Sequence, residues 1–502
     1  MSKKIEIVDL FAGPGGLGEG FSAAGRETAT PMSIRLSVEK DAFAIQTLRL
    51  RAFLRSFENG FPTAYYEALN GSNRFPDWAA THPANWKLAV EEAQQLELGT
   101  AGVFEQVSSI LDDARERCDG LTVLIGGPPC QAYSLAGRSR NAGKKDYVAE
   151  RDGRHFLYQE YVAILDRLRP AAFVMENVKG MLSSQVHGGP IFERVFDDLK
   201  SAGDGYVLIP LTAEGDLLVD HQAKDFVVRA EEHGVPQARH RVFIVGLRSD
   251  LAHGRKLAGP LLAKVTPSQS NSVATVIDGM PKLRSGLSRN DSAADWADVV
   301  REWARKLSAD HALPRSVIPA LRQISKANEF GRHGRVSKGV ADPISASALA
   351  DWLVDPRLEV SVQHETRGHI NGDLGRYLYA ATFARTYGYS PKLKEFPMIL
   401  QPNHANRESG AFADRFRVQL ADSPATTVTS HISKDGHYFI HPDPEQCRSL
   451  TVREAARLQT FPDNYFFCGP RTEQYKQVGN AVPCFLARQI AHIVHDLITV
   501  EK

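Results

Sequence analysis

The chain has 502 residues, with 60 Lys and Arg against 59 Asp and Glu, 43% hydrophobic residues and five cysteines. That length divides into about two or three domains, and the composition is that of a soluble globular protein. No run approaches the ~20 apolar residues of a membrane span and the first residues lack a signal-peptide pattern, so a cytoplasmic protein with no membrane partner is expected.

Ile5 to Leu10 reads as a buried strand that breaks into Phe11, Ala12, Gly13, Pro14, Gly15 and Gly16 before a helical pattern through Leu17 and Phe21. Strand, glycine loop and helix open a nucleotide-binding α/β domain, because only glycine lets backbone and ligand approach closely at a helix amino end. The spacing is not GxGxxG, which disfavours a dinucleotide. A second strand, Ile34 to Val38, ends in Glu39, where an acidic side chain commonly accepts hydrogen bonds from a ribose. Loop and acid together point to an adenosyl ligand.

Residues 50–100, with Trp78, Trp86 and scattered prolines, read as an insertion packed on the domain edge. A strand over Leu121 to Ile125 then runs through Gly126, Gly127, Pro128 and Pro129 into Cys130. This puts the thiol at a strand's carboxyl end, where open α/β sheets keep their chemistry. On these residues alone Cys130 is equally a small buried hydrophobe or a nucleophile. Arg138, Arg140, Lys144, Lys145, Arg151 and Arg154 follow in a glycine-containing loop, either a solvated linker or a basic segment that closes over a polyanion. A helix from Phe156 stops at Pro170, and a strand from Ala171 to Met175 ends in Glu176. A helix over Ile191 to Ser201 and strands near Phe226 to Val228 and Val242 to Leu247 continue the alternation. The expected fold class is therefore α/β, a doubly wound, mostly parallel sheet.

After Leu247 the pattern becomes loop-rich, and residues 248–425 read as a second, smaller and irregular domain. From Pro281 to Leu420 there are 21 Lys and Arg against 15 Asp and Glu, a local excess of +6 that leaves the rest of the chain at −5. Phosphate binding follows such local charge, although a solvated surface accounts for it equally. His364 and His369 are five positions apart and cannot share a helical face, and the cysteines form no CxxC pair, so no metal is expected. Residues 426–502 return to regular structure. Thr451 is placed as an N-cap with Glu454 as its capping-box partner, and an amphipathic helix follows Pro483.

Taken in order, six short blocks resemble the DNA (cytosine-5) methyltransferases: DLFAGPGG from Asp9, GPPCQAYS from Gly127, ENVKG from Glu176, QARHR from Gln237, RSLTVREAARLQTF from Arg448 and QVGNAVP from Gln477. The resemblance implies a Rossmann-like S-adenosylmethionine-dependent methyltransferase domain over residues 1–247, completed by 426–502, with a target recognition domain over 248–425. Cys130 is implied as the nucleophile that adds to C6 of a flipped cytosine. Glu176 then faces N3 and the exocyclic amine, and Arg241, with Arg239 beside it, holds O2. S-adenosyl-L-methionine is the implied cofactor, bound by Phe11, Ala12, Gly13, Pro14, Gly15, Gly16, Glu39, Pro128, Asn480 and Ala481, with no metal. The family's Asp-Ile pair before the cysteine strand has no counterpart near residues 98–107, where backbone atoms of Gly99 and Thr100 remain as the alternative. Gln131, Ser134, Arg138, Arg140, Asn403, Arg415 and Arg417 are the expected contacts to double-stranded DNA. A monomer is expected, working in a bacterial cytosol beside a cognate restriction endonuclease or phage-defence proteins.

Overall fold

A computed structural model describes residues 4–71, 74–129, 157–186, 189–324, 332, 347–401 and 414–499. Its centre is an eight-stranded sheet. The strands are β1 (Ile5–Leu10), β2 (Met32–Glu39), β3 (Ala93–Gln95), β4 (Thr122–Gly126), β5 (Ala172–Val178), β6 (Tyr206–Ile209), β7 (Val227–Arg229) and β8 (His240–Arg248). The order is β7-β8-β5-β4-β1-β2-β3, with β6 also pairing with β8. β1 to β5 run parallel, as the alternation requires.

β8 runs antiparallel to β5, with Arg241 opposite Val178. The apolar pattern of β8 marks a buried strand but carries no direction, and β6 was not read from the sequence at all. The reversal matters for the site: it brings the start of β8 to the edge where β5 ends.

Successive β1 side chains point to opposite faces, and each face is covered by helices. Ile5 and Ile7 pack with Leu17 and Phe21 of α1 (Gly16–Glu27) and with Leu486, Ile490 and Val494 of the last helix. Val8 and Leu10 pack on the other face with Leu111, Ile164 and Leu165, from helices over Val103–Arg117 and Leu157–Leu168. Phe21 is fully buried, and truncating it to Ala removes about 3–5 kcal/mol of stability. α1 meets the last helix, Cys484–Thr499, at very close range. A Cβ on Gly20 would lie 2.4 Å from the Arg488 nitrogen, and one on Gly16 would lie 2.3 Å from the Val482 carbonyl oxygen.

Residues beyond β8 build further cores. Trp296 and Val300 of helix Ala293–Ser308 pack with Leu374, Tyr377 and Leu378 of helix Asn371–Tyr387, and this core also draws in Val418, Ile440 and Cys447. The short helix Val273–Ile277 packs instead with the return segment, against Ala455, Phe461 and Val478. The 50–100 stretch forms an aromatic cluster of Phe53, Tyr65, Tyr66 and Trp78 that also takes in Leu358, Val360 and Val362. Thr451 caps helix Val452–Leu458, with both hydrogen bonds of the capping box to Glu454 formed. Among the described residues no helix is long and apolar enough to cross a membrane.

Candidate active site

The carboxyl ends of β1, β4 and β5 lie side by side, with Leu10 opposite Gly126 and Gly126 opposite Met175. Each end releases a different piece of the site. From β1 comes the glycine loop, in which Phe11 holds a positive φ of 54° and Gly15 one of 94°. A positive φ at a phenylalanine is strained and persists only where surrounding structure enforces it. Gly13 also has a positive φ, 57°, and a Cβ built on it would find nothing within 4 Å, so the loop opens a cradle there.

Glu39, at the end of β2, accepts a hydrogen bond from the Gly13 N–H at 2.8 Å and further bonds from the backbones of Lys40 and Asp41. Burial pushes its carboxyl above the usual range, and these N–H groups pull against it. The acid expected to face a ribose thus also holds the loop.

From β4 comes the turn Gly127, Pro128 and Pro129. Asn177, 3% exposed, donates its side-chain amide to the Pro128 carbonyl at 3.1 Å, while its own oxygen accepts from the Val178 N–H at 2.8 Å. A Cβ on Gly127 would stand 3.0 Å from Glu176 Oε2, so the turn passes close beside the carboxylate and a larger residue there would press on it.

Glu176 Oε1 lies 3.0 Å from Arg241 Nε, and both side chains are largely buried. Arg241 also donates to the His240 carbonyl at 2.8 Å. Burial pulls the Arg241 guanidinium down, and Glu176 counters by stabilising its charge. Arg239 lies deeper, 4% exposed, and donates to the carbonyls of Val428 at 2.9 Å and Gly479 at 3.5 Å. Its Nε has no hydrogen-bond partner among the described residues. Burial, then the Arg241 charge, work against the Arg239 cation, and Glu176 supports it. The Gly479 contact brings in the return segment. Asn480 follows on the surface, and Ala481 packs against Gly16, where a built Cβ would lie 3.2 Å from that of Ala481.

The structure therefore gathers Phe11 to Gly16, Glu39, Pro128, Glu176, Arg239, Arg241, Asn480 and Ala481 along one edge. Arg415 and Arg417 lie elsewhere, paired with Asp435 at 3.3 Å and Asp414 at 3.1 Å. Cys130, Gln131, Ser134, Arg138, Arg140 and Asn403 lie outside the described residues, and Cys130 directly follows the described turn in the sequence. His364 is tied to Thr451 and to the Pro281 carbonyl, and among the described residues no group of His, Cys, Asp or Glu is arranged to hold a metal ion. Sequence reading assigned no part to Tyr465, which donates to the Pro14 carbonyl and so pins the glycine loop from the far end of the chain. Its place just after the RSLTVREAARLQTF block was the available signal.

A sheet that offers a buried carboxylate and guanidinium beside a rigid turn, with an open glycine cradle next door, matches what the comparisons return. The family model for C-5 cytosine-specific DNA methylase matches residues 103–495. A type II methyltransferase of Bacillus paralicheniformis, M.Bpa9945I, is 32% identical over 98% of this chain and 99% of its own length. M.AgeI of Thalassovita gelatinovora is 27% identical over 98% and 99%. A solved prophage-encoded protein of E. coli, provisionally named a DNA modification methyltransferase, shares the fold with a TM-score of 0.52 at 18% identity, covering 99% of this chain and 100% of that one. The chain belongs to the C-5 cytosine-specific DNA methylases and is a DNA cytosine-5 methyltransferase.

Proposed function

We propose that the edge formed by β1, β4, β5 and β8 is the catalytic site and that Cys130, carried by the turn after β4, is its nucleophile. Cytosine C5 is too poor a nucleophile to be methylated directly, so the thiolate first adds to C6 and electron density moves to C5. The charge pushed into the ring is relieved at N3 and O2. Glu176 shares a proton with N3 and contacts the exocyclic amine, Arg241 donates to O2, and Arg239 reinforces the positive field behind it. S-adenosylmethionine supplies an electrophilic methyl group when bound. After transfer the C5 proton leaves and Cys130 is eliminated.

The open cradle at Gly13 and the Glu39 carboxylate fit an adenosyl ligand. Phe11 to Gly16, Pro128, Asn480 and Ala481 would line it, and no residue of the chain is asked to bring a metal. The base must be flipped out of the duplex, at an unstacking cost of a few kcal/mol. Residues 248–425 act as the target recognition domain, and the segment carrying Arg138 and Arg140 closes over the displaced base with Gln131 and Ser134. Asn403, Arg415 and Arg417 contribute contacts to the DNA. The enzyme works as a cytoplasmic monomer alongside a cognate restriction endonuclease or other defence proteins.

The observation that carries this reading is the 3.0 Å Glu176–Arg241 pair beside the Gly127 turn. Incubation with S-adenosylmethionine and duplex DNA containing 5-fluorocytosine tests it. A covalent adduct is expected with the intact protein and none with Cys130→Ala. An adduct that survives in Cys130→Ala overturns the assignment.

A further inference from the structure

One carboxylate in the 248–425 region ties together the 50–100 insertion and the return segment. Asp355 is 5% exposed and collects hydrogen bonds from two distant parts of the chain and from its near neighbour Arg357. Tyr66 of the 50–100 insertion donates its hydroxyl at 2.8 Å, and Asn464 of the return segment donates its amide at 2.7 Å. Arg357 contributes its backbone N–H, Nε and Nη2, each at 3.0 Å. The Arg357 guanidinium also covers the Tyr66 ring at 4.2 Å, and Asn70 bridges the Arg357 carbonyl and the Glu359 N–H at 3.0 and 2.9 Å.

Each neighbour of Asp355 leads to a different structure. Asn464 Oδ1 accepts from Arg51 at 3.1 Å, and Arg51 pairs with Glu19 of α1 and lies over the Tyr465 ring, whose hydroxyl reaches Pro14. In the other direction, the chain leaves Asp355 through Val360 and Val362, pairs Gly368–His369 with Gly286–Leu287, and enters helix Asn371–Tyr387, the central helix of the 248–425 core. The helix begins only a few residues beyond that pairing. Residues 352–363 are stitched on at further points as well: Trp352 to the Thr460 carbonyl at 2.7 Å, and Gln363 to both backbone groups of Phe467.

We propose that Asp355 is a positioning residue for DNA recognition. Its carboxylate clamps the strap that leads into the 248–425 core onto the insertion and the return segment, so that the domain meets the duplex at a fixed angle to the catalytic edge. This rests on the reading of residues 248–425 as the recognition domain. Angular freedom at the strap is paid as ordering entropy when DNA binds, before the base reaches the catalytic groups.

The test is steady-state methyl transfer by the full chain, with S-adenosylmethionine and unmethylated genomic DNA each varied in turn. Asp355→Asn is expected to raise KM for DNA at least about fivefold while kcat and KM for S-adenosylmethionine stay within about twofold. A variant that merely folds less well lowers kcat through a smaller active fraction and leaves both KM values alone, and that result overturns the proposal. The double variant Arg415→Ala, Arg417→Ala separates the two readings. If it raises KM for DNA and Asp355→Asn does not, the clamp fails and the domain assignment stands; if neither does, both fail. Should Asp355→Asn not fold, Tyr66→Phe removes one uncharged donor from the same carboxylate. A rise in DNA KM of about twofold or more is expected there, and an unchanged value overturns the clamp.

Discussion

Replacing Asn177 with Leu isolates what the turn after β4 contributes to catalysis. The side chain is 3% exposed, and its amide is the donor to the Pro128 carbonyl at 3.1 Å. Leu fills nearly the same volume, so little cavity forms, but the Pro128 carbonyl loses that donor in a buried setting and the Val178 N–H loses its side-chain acceptor. Stranding such a group costs about 1–3 kcal/mol, and a shift of the turn relieves part of it. That shift moves the residue after Pro129 relative to Glu176, and a misplacement of about 1 Å at a reacting group costs about 10²-fold in rate. Single-turnover methyl transfer measured beside urea unfolding separates the two effects. The expected result is a rate constant about 10²-fold lower and an unfolding free energy lower by about 1–3 kcal/mol. A stability loss of that size with an unchanged rate would refute the argument that Asn177 aims the turn.

Two further outcomes follow from buried contacts. Glu454 accepts from Arg448 at 2.6 and 2.7 Å and from the Thr451 N–H at 2.7 Å, with both charged side chains 1% exposed. Glu454→Gln turns one acceptor into a donor facing donors, and denaturant unfolding should show a loss of about 3–5 kcal/mol. Burial acts to raise the Glu454 carboxyl, but Arg448 outweighs it and holds the group well below its ordinary 4.5. Its contribution is therefore full above about pH 4.5 and is lost as pH falls below that. The native protein should lose stability more steeply than Glu454→Gln in that acid range, and parallel acid profiles would count against the pair. Gly479→Ala would drive a Cβ to 2.3 Å from the Ser430 nitrogen, where the neighbour is backbone and cannot swing aside. Since the Gly479 and Val428 carbonyls both receive Arg239, methyl-transfer activity should fall by about tenfold or more in protein that still melts cooperatively; unchanged activity would show that the Arg239 seat tolerates the shift.

Local signals in the sequence carried much of this structure. The strand Ile5–Leu10, the helix Ile191–Ser201 and the Thr451–Glu454 capping box depend on period and on residues a few positions apart. What remained hidden depends on direction or distance. Nothing in the apolar run Val242 to Leu247 tells whether the strand runs with or against β5, yet that choice decides where Arg239 and Arg241 stand. The glycines at the start of α1 invite a ligand reading, while Gly20 serves close packing against the last helix and Gly16 against Ala481 and Val482 just before it, roles visible only once that segment is in place. Asp355 and Asn464 are 109 positions apart, and Arg51 and Asn464 are 413 apart, so no local pattern could pair them. The pairing of Arg415 with Asp435 spans twenty positions and leaves no local trace, whereas Asp414, the partner of Arg417, stands only three positions before it.

The packing of α1 against the helix Cys484–Thr499 sets an order of assembly during synthesis. Residues 16–27 emerge from the ribosome early, but Phe21 and Gly20 find their cover only when residues 484–499 have followed. The core around Trp296 and Tyr377 is complete once Cys447 has emerged, some forty residues sooner. The core beyond β8 can thus acquire its shape while the central sheet still lacks one side, and the catalytic edge is completed only after that cover has been added.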